Sequence, residues 1–220
     1  MDDDQTRHQQ DLQDGYDTVA SEYAQRIADE LDYKPFDREL LDRFAARLRD
    51  RGPVCDLGCG PGHVAHYLHQ RGAQAFGLDL SPEMVAQARA LFPQVEYRTG
   101  TMRALDAPDN AWAGIAAFYS IIHIPHAEVT GVLRELRRVL QPDGLLLVAF
   151  HIGNETVHID EWWGYDVSLD FFFFERAEME GYLREAGFVI EQSQERPPYE
   201  DVEHPSRRAY ILARKPAQPG

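Results

Sequence analysis

The sequence predicts an α/β fold with a doubly wound, mostly parallel sheet. Three observations carry that prediction. Between Pro53 and Phe150, short apolar runs alternate with stretches of helical spacing, the rhythm of strand–helix–strand units. The runs are apolar almost throughout, as strands covered on both faces require. The first run ends in a glycine-rich turn, Gly58-Cys59-Gly60-Pro61-Gly62, directly before a helical segment. A backbone without side chains there lets a ligand approach closely.

Each element has its own signal. Residues 1–14 are acidic and polar and are expected to be flexible. Tyr16, Val19, Tyr23 and Ile27 share one face of a helix over residues 16–27. A second helix spans 36–50, with Leu40, Leu41, Phe44 and Leu48 apolar. PVCDL (53–57) is a strand, and HVAHYLHQRG (63–72) is a helix ended by Gly72. AFGLD (75–79) is the next strand. Ser81 caps the following helix, with Pro82 in its first position. VEYR (95–98) and WAGIAAFYS (112–120) are strands. A helix follows over 127–140, burying Leu133, Leu136 and Leu140; QPDG turns the chain into the strand LLLVAF (145–150).

There the alternation stops. Residues 151–174 are aromatic and non-periodic, and their last four, Phe171 to Phe174, read as a strand buried on both faces, one of which could meet substrate. A helix over 175–187 ends at Gly187, and two strands, 188–195 and 207–214, form an antiparallel pair. No repeat or linker divides the chain. Residues 15–220 are expected to be one domain, with 15–50 as a helical lid and 151–174 as an insertion walling a substrate pocket.

Composition narrows the function. The 220 residues carry a formal net charge of -15. Such a chain lacks the basic surface that nucleic acid requires, and an anionic membrane repels it. The N-terminus has no signal-peptide pattern, and no apolar run is long enough to span a bilayer. A cytoplasmic protein with a small-molecule substrate is the expectation, with oligomeric state left open. The two cysteines, Cys55 and Cys59, lie in the first strand and turn. With His63 and His66 as the only nearby ligands, their side chains scatter over strand, turn and helix, so no metal is expected.

Glycine spacing selects the ligand of the turn. A dinucleotide fingerprint places its third glycine where this chain has His63. Asp56, two residues before Gly58, would repel a pyrophosphate and suits an ammonium group. A ligand with an ammonium at one end and a nucleoside at the other fits, and S-adenosylmethionine is such a ligand. Asp79, at the tip of the second strand, can accept hydrogen bonds from ribose hydroxyls.

DLGCGPG, then GLDLS, GTMRAL and the QPDGLLLVAF strand resemble the class I S-adenosylmethionine-dependent methyltransferase family. The likeness is close over residues 16–150, and is greatest to small-molecule methyltransferases with a helical N-terminal lid, the ubiquinone-pathway-like group. It implies a Rossmann-like, seven-stranded sheet whose last strand is antiparallel. It also implies that Gly58, Gly60 and Gly62 line the methionine end of the cofactor, Asp56 positions its ammonium and Asp79 holds its ribose. Leu80 and Met84 would flank the adenine, Tyr119 and Ser120 would face the sulfonium, and Tyr16 and Tyr23 would close over it. Where the family usually carries an aspartate toward the adenine amino group, this chain has Thr101, followed by Met102.

Strand topology places the reaction outside the carboxyl ends of the parallel strands. His123, after the fourth strand, and His151, after the fifth, are candidate bases; His126 reads as the start of a helix. His158, Trp162 and Trp163 in the aromatic segment are candidate substrate contacts. Lys34 and Arg196 are candidates for meeting an anionic substrate. The expected activity is methyl transfer to an oxygen or nitrogen of a small molecule, leaving S-adenosylhomocysteine. The alternative is a non-catalytic sensor or scaffold that binds the cofactor, favoured by the departure at Thr101.

Overall fold

The computed structural model describes residues 3–217. Residues 1–2 of the expected flexible terminus and 218–220 of the expected domain lie outside the described residues. The elements are α1 (Asp3–Ile27), α2 (Pro35–Leu48), β1 (Pro53–Leu57), α3 (His63–Gln70), β2 (Gln74–Asp79), α4 (Pro82–Leu91) and β3 (Glu96–Thr99). Then follow β4 (Trp112–Phe118), α5 (His126–Val139), β5 (Leu140–His151), β6 (Thr156–Trp162), β7 (Tyr165–Phe172), α6 (Arg176–Glu185), β8 (Val189–Arg196) and β9 (Arg208–Arg214).

Seven strands form one sheet in the order β3-β2-β1-β4-β5-β9-β8. Strands β1 to β5 pair in parallel, and β9 runs antiparallel to both β5 and β8. The chain order reverses between β1 and β4, so a crevice opens beyond their carboxyl ends. Asp56 of β1 is level with Gly77 and Ala116, so the turns after β1, β2 and β4 meet there.

Apolar strands bury both faces. On one face, Ile115, Leu146 and Val148 pack against Leu133 and Leu136 of α5. On the other, Val54, Leu145 and Leu147 pack with Phe44 and Leu48 of α2 and with Leu68 of α3. Ser81 caps α4 as its sequence requires, accepting a hydrogen bond from the Met84 N–H.

Three expectations are corrected. The N-terminal helix begins at Asp3, so residues 3–14 are helical rather than flexible. Their polar composition cannot sustain a helix by itself, but tertiary contacts can. Leu12 is buried, and His8 donates from Nε2 to the His123 carbonyl at 3.1 Å. The QPDG stretch does not end an element, because β5 runs back through it to Leu140, with a register shift opposite Trp112 and Gly114. The aromatic segment 151–174 folds into a two-stranded antiparallel hairpin, β6–β7. The Phe171–Phe174 run is split: β7 ends at Phe172, while Phe173 and Phe174 lie buried beyond it.

Candidate active site

The glycine turn joins β1 to α3 and holds three residues at positive φ: Gly58 at 70°, Gly60 at 50° and Gly62 at 85°. At Gly58 and Gly62 a side chain is excluded by space as well. A Cβ would fall 2.3 Å from Ser120 Cβ at Gly58 and 2.6 Å from the Tyr97 ring at Gly62. The turn thus lies as a cradle flat against the sheet tip, with side chains excluded where it packs on Ser120 and Tyr97.

Two buried carboxylates border the cradle. Asp79 accepts from the Gly60 N–H at 2.7 Å and the Ser81 N–H at 2.9 Å, tying the turn to the end of β2. Burial pushes its pKa up to about 6, against those two hydrogen bonds. Asp56 reaches from β1 to accept the Ala65 N–H of the first turn of α3 at 2.9 Å. Burial raises its pKa to about 7, with His63 opposing. Asp56 therefore caps a helix and borders the ligand space at once; the two roles do not exclude each other.

The cradle opens into a cavity of about 300 Å³. One end is walled by Gly58, Gly60, Asp79, Leu80, Thr101 and Met102, with Leu12, Gln13 and Tyr16 of α1 laid across. Thr101 accepts from the Arg103 N–H at 3.3 Å, and its hydroxyl pairs with Gln9 Oε1 at 3.2 Å. Met84 lies elsewhere: its side chain is buried with Val19 and Ala20 under α1, and it does not line the cavity.

Midway along the cavity stand Tyr119, Ser120, His123, Tyr23, Trp162 and Phe171. Tyr119 has φ 52°, and Ser120 Oγ donates to the Leu57 carbonyl at 2.6 Å. His123 is buried. Its Nδ1 is 2.9 Å from the Asp170 carbonyl oxygen, which only accepts, so Nδ1 carries the proton. Its Nε2 is therefore the acceptor of the Tyr16 hydroxyl at 2.7 Å. Burial pushes its pKa down to about 4, which keeps the ring neutral near pH 7. Tyr16 and Tyr23 meet edge to face, and each also meets Trp162.

The far end is charged. Lys34, Glu30, His151, Glu203, His204 and Arg208 line it. Lys34 Nζ donates to Glu30 Oε2 at 2.6 Å and stands 5.4 Å above the Tyr119 ring. Burial opposes ionisation of Glu30, but pairing with His63 and Lys34 prevails and holds its pKa at about 2. His151 Nδ1 is 2.7 Å from Ser206 Oγ. Burial, and then the charges of Arg208, His204 and Lys34, push the His151 pKa down to about 3.

Besides Met84, and Gly62, whose Cβ position faces the Tyr97 ring, three sequence candidates fall outside the cavity wall. His158 is exposed and bonded to Asp170 at 2.8 Å and Asp160 at 3.0 Å, because strand alternation turns it outward on β6. Trp163 stacks on the outer side of Trp162 and is covered by Arg26. Arg196 is buried in ion pairs with Asp37 and Glu203, which leave it no reach toward a substrate. Sequence reasoning missed Glu30, Glu203, His204 and Arg208, whereas Phe171 lies in the run that could offer one face to substrate. The i,i+4 spacing of Glu30 and Lys34 was a usable signal; the others come from the last hairpin, which only the topology brings here. Among the described residues, no group of three His, Cys, Asp or Glu side chains could hold a metal ion.

A turn in which side chains are excluded, beside one buried carboxylate for hydroxyls and another for an ammonium, fits S-adenosylmethionine. The comparisons agree. The methyltransferase domain family matches residues 54–144. Trans-aconitate 2-methyltransferase from Azoarcus sp. (strain BH72) is 40% identical over 114 residues, covering 50% of this chain and 43% of that protein. Ubiquinone biosynthesis O-methyltransferase from Xanthomonas oryzae pv. oryzae (strain PXO99A) is 32% identical over 115 residues, covering 50% of this chain and 47% of its own length. The matches thus span less than half the length of these relatives. Among solved structures, magnesium protoporphyrin IX methyltransferase from Synechocystis PCC 6803, with SAM bound, superposes with a TM-score of 0.69. It shares 17% identity over 94% of this chain and 97% of that one, a likeness of fold. This cradle, on this sheet order, lies inside the residues 54–144 that match the methyltransferase domain family.

Proposed function

We propose that the chain transfers a methyl group to an oxygen or nitrogen of a small molecule. The observation that carries this reading is the Tyr16–His123 pair, set in the cavity wall between the glycine cradle and the charged end. Bound S-adenosylmethionine supplies a methyl group on a sulfonium, activated for in-line displacement. Gly58 and Gly60 give it room, Asp56 meets its ammonium and Asp79 its ribose. Leu80, Thr101 and Met102 wall its adenine, and Tyr119 and Ser120 lie toward the reacting carbon.

The chain's own part is to orient the nucleophile, exclude water and receive a proton. Helix α1 and the β6–β7 hairpin cover the cavity with Tyr16, Tyr23, Trp162 and Phe171. A proton leaving the nucleophile can pass to the Tyr16 oxygen while the Tyr16 proton passes to His123 Nε2. The Asp170 carbonyl then holds the resulting imidazolium through Nδ1–H. His151, tied to Ser206 and ringed by cations, serves as a wall of the pocket. Lys34 meets the substrate; His158, Trp163 and Arg196 take no part.

Several observations support a small substrate. A formal net charge of -15 opposes nucleic acid. The two matched relatives are named for small molecules. No described helix is long and apolar enough to cross a membrane, and Cys55 and Cys59 are unpaired, in keeping with a reducing cytoplasm. Thr101, the departure that favoured a non-catalytic module, lines the cavity and donates to Gln9 of α1.

The test is incubation with methyl-labelled S-adenosylmethionine and a deproteinised small-molecule extract. Label is expected in a new small molecule, with S-adenosylhomocysteine formed in equal amount. Tight cofactor binding without any label transfer would instead establish the sensor reading.

A further inference from the structure

The charged end of the cavity has unequal hydrogen-bonding capacity. Its acceptors are largely committed. Glu203 Oε1 accepts from Arg196 Nη2 at 2.8 Å and lies 3.1 Å from Arg208 Nε. Glu203 Oε2 accepts from Arg196 Nη1 at 2.6 Å and the Tyr199 N–H at 2.8 Å. Glu30 takes His63 on one oxygen and Lys34 on the other, at 3.0 and 2.6 Å.

The donors keep hydrogens to spare. Arg208 is 3% exposed and lines the cavity. Its Nη1 donates to the carbonyls of His204 and Ser206, and among the described residues its Nη2 makes no hydrogen bond. Its Nε, although beside Glu203, makes no hydrogen bond of good geometry either. Lys34 is 6% exposed and carries three ammonium hydrogens; it gives one to Glu30 and stands 3.6 Å from Glu203 Oε1. Both cations face the same ring: Lys34 Nζ is 5.4 Å and the Arg208 guanidinium 5.8 Å from the centre of Tyr119. Buried donors without acceptors cost free energy that a suitable ligand recovers.

Resting on the methyltransferase reading, we infer that the substrate carries an oxyanion, a carboxylate, seated between Arg208 and Lys34 over Tyr119. Its remaining, flat part lies along Trp162 and Phe171, and its nucleophile faces Tyr16. The field at His151 agrees: Arg208, His204 and Lys34 together outweigh Glu203 in disfavouring a further positive charge there. A cationic head group would meet the same field and no free acceptor pair.

Benzoate is the probe, because it joins one carboxylate to one flat ring. The full chain, saturated with S-adenosylhomocysteine, is titrated calorimetrically with benzoate, benzamide, phenyl phosphate and benzylamine. Benzoate is expected to bind at least tenfold more tightly than benzamide, with benzylamine weakest. In Arg208→Gln the preference for benzoate over benzamide falls below threefold, while affinity for S-adenosylhomocysteine confirms the fold of that variant. Tighter binding of phenyl phosphate than of benzoate would keep the oxyanion seat and assign it to a phosphate ester. Equal binding of benzoate and benzamide, a preference for benzylamine, or no binding of benzoate at 10 times its benzamide-matched concentration overturns the inference. None of these outcomes touches methyl transfer, which the label experiment decides separately.

Discussion

Tyr16 and His123 are 107 positions apart in the chain, yet Tyr16 oxygen and His123 Nε2 are 2.7 Å apart. The Asp170 carbonyl fixes Nδ1 as the donor, so Nε2 is the nitrogen that can receive the Tyr16 proton. His123→Asn is expected to lower kcat by about 10², with the Kd for S-adenosylhomocysteine changed less than threefold. Single-turnover rates and calorimetry measure the two sides; equal loss in both would reduce His123 to packing. Tyr16→Phe removes the proton bridge but keeps the ring, so it should lower kcat by a similar factor. At Gly58 the demand is steric. Gly58→Ala would drive a Cβ into Ser120 at a φ that L residues avoid, and it should abolish cofactor binding in the same titration.

At the scale of elements, α1 and the β6–β7 hairpin behave as one cover because Gly15 lets them touch. A Cβ on Gly15 would lie 2.7 Å from Leu169 Cδ2, and Leu169 is fully buried. Gly15→Val should therefore destabilise the protein by about 2 kcal/mol, the range of overpacking. Leu169→Ala in the same chain should restore part of that loss, read as a coupling of about 1 kcal/mol in a double-mutant cycle. Arg196 makes a different point. It holds Asp37 at 2.9 Å and both oxygens of Glu203, joining α2 to the segment between β8 and β9. Arg196→Met strands two buried carboxylates and should cost about 3–5 kcal/mol in urea unfolding. A normal stability with a raised KM would return Arg196 to the substrate contacts.

For the whole molecule, the buried carboxylates make cofactor binding depend on pH. Free Asp56 and Asp79 have pKa values raised to about 7 and about 6 by burial. A raised carboxylate pKa means the folded protein holds protons that the unfolded chain has released, so the cost of ionising these groups grows as pH rises toward 7. An ammonium beside Asp56 favours the ionised form, so binding expels a proton and strengthens as pH rises. The Kd for S-adenosylhomocysteine should rise by roughly tenfold between pH 7.5 and 6. The binding enthalpy should depend on the ionisation heat of the buffer at pH 6.5; a Kd independent of pH would remove Asp56 from the ammonium site. The charged end was only half legible in sequence. Lys34 was a candidate in its own right, whereas Arg208 and Glu203 sit in a terminal hairpin that reads as ordinary edge structure until β9 is placed beside β5. Local pattern alone determined the alternation of strands and helices, the glycine turn, Asp56 and Asp79, because each depends on neighbours within a few residues. Tertiary structure decided the rest: that the polar N-terminus is helical, that Met84, Trp163, His158 and Arg196 face away from the cavity, and that Tyr16 reaches His123. Those outcomes depend on contacts between segments more than 60 residues apart, where burial and pairing outweigh any local preference.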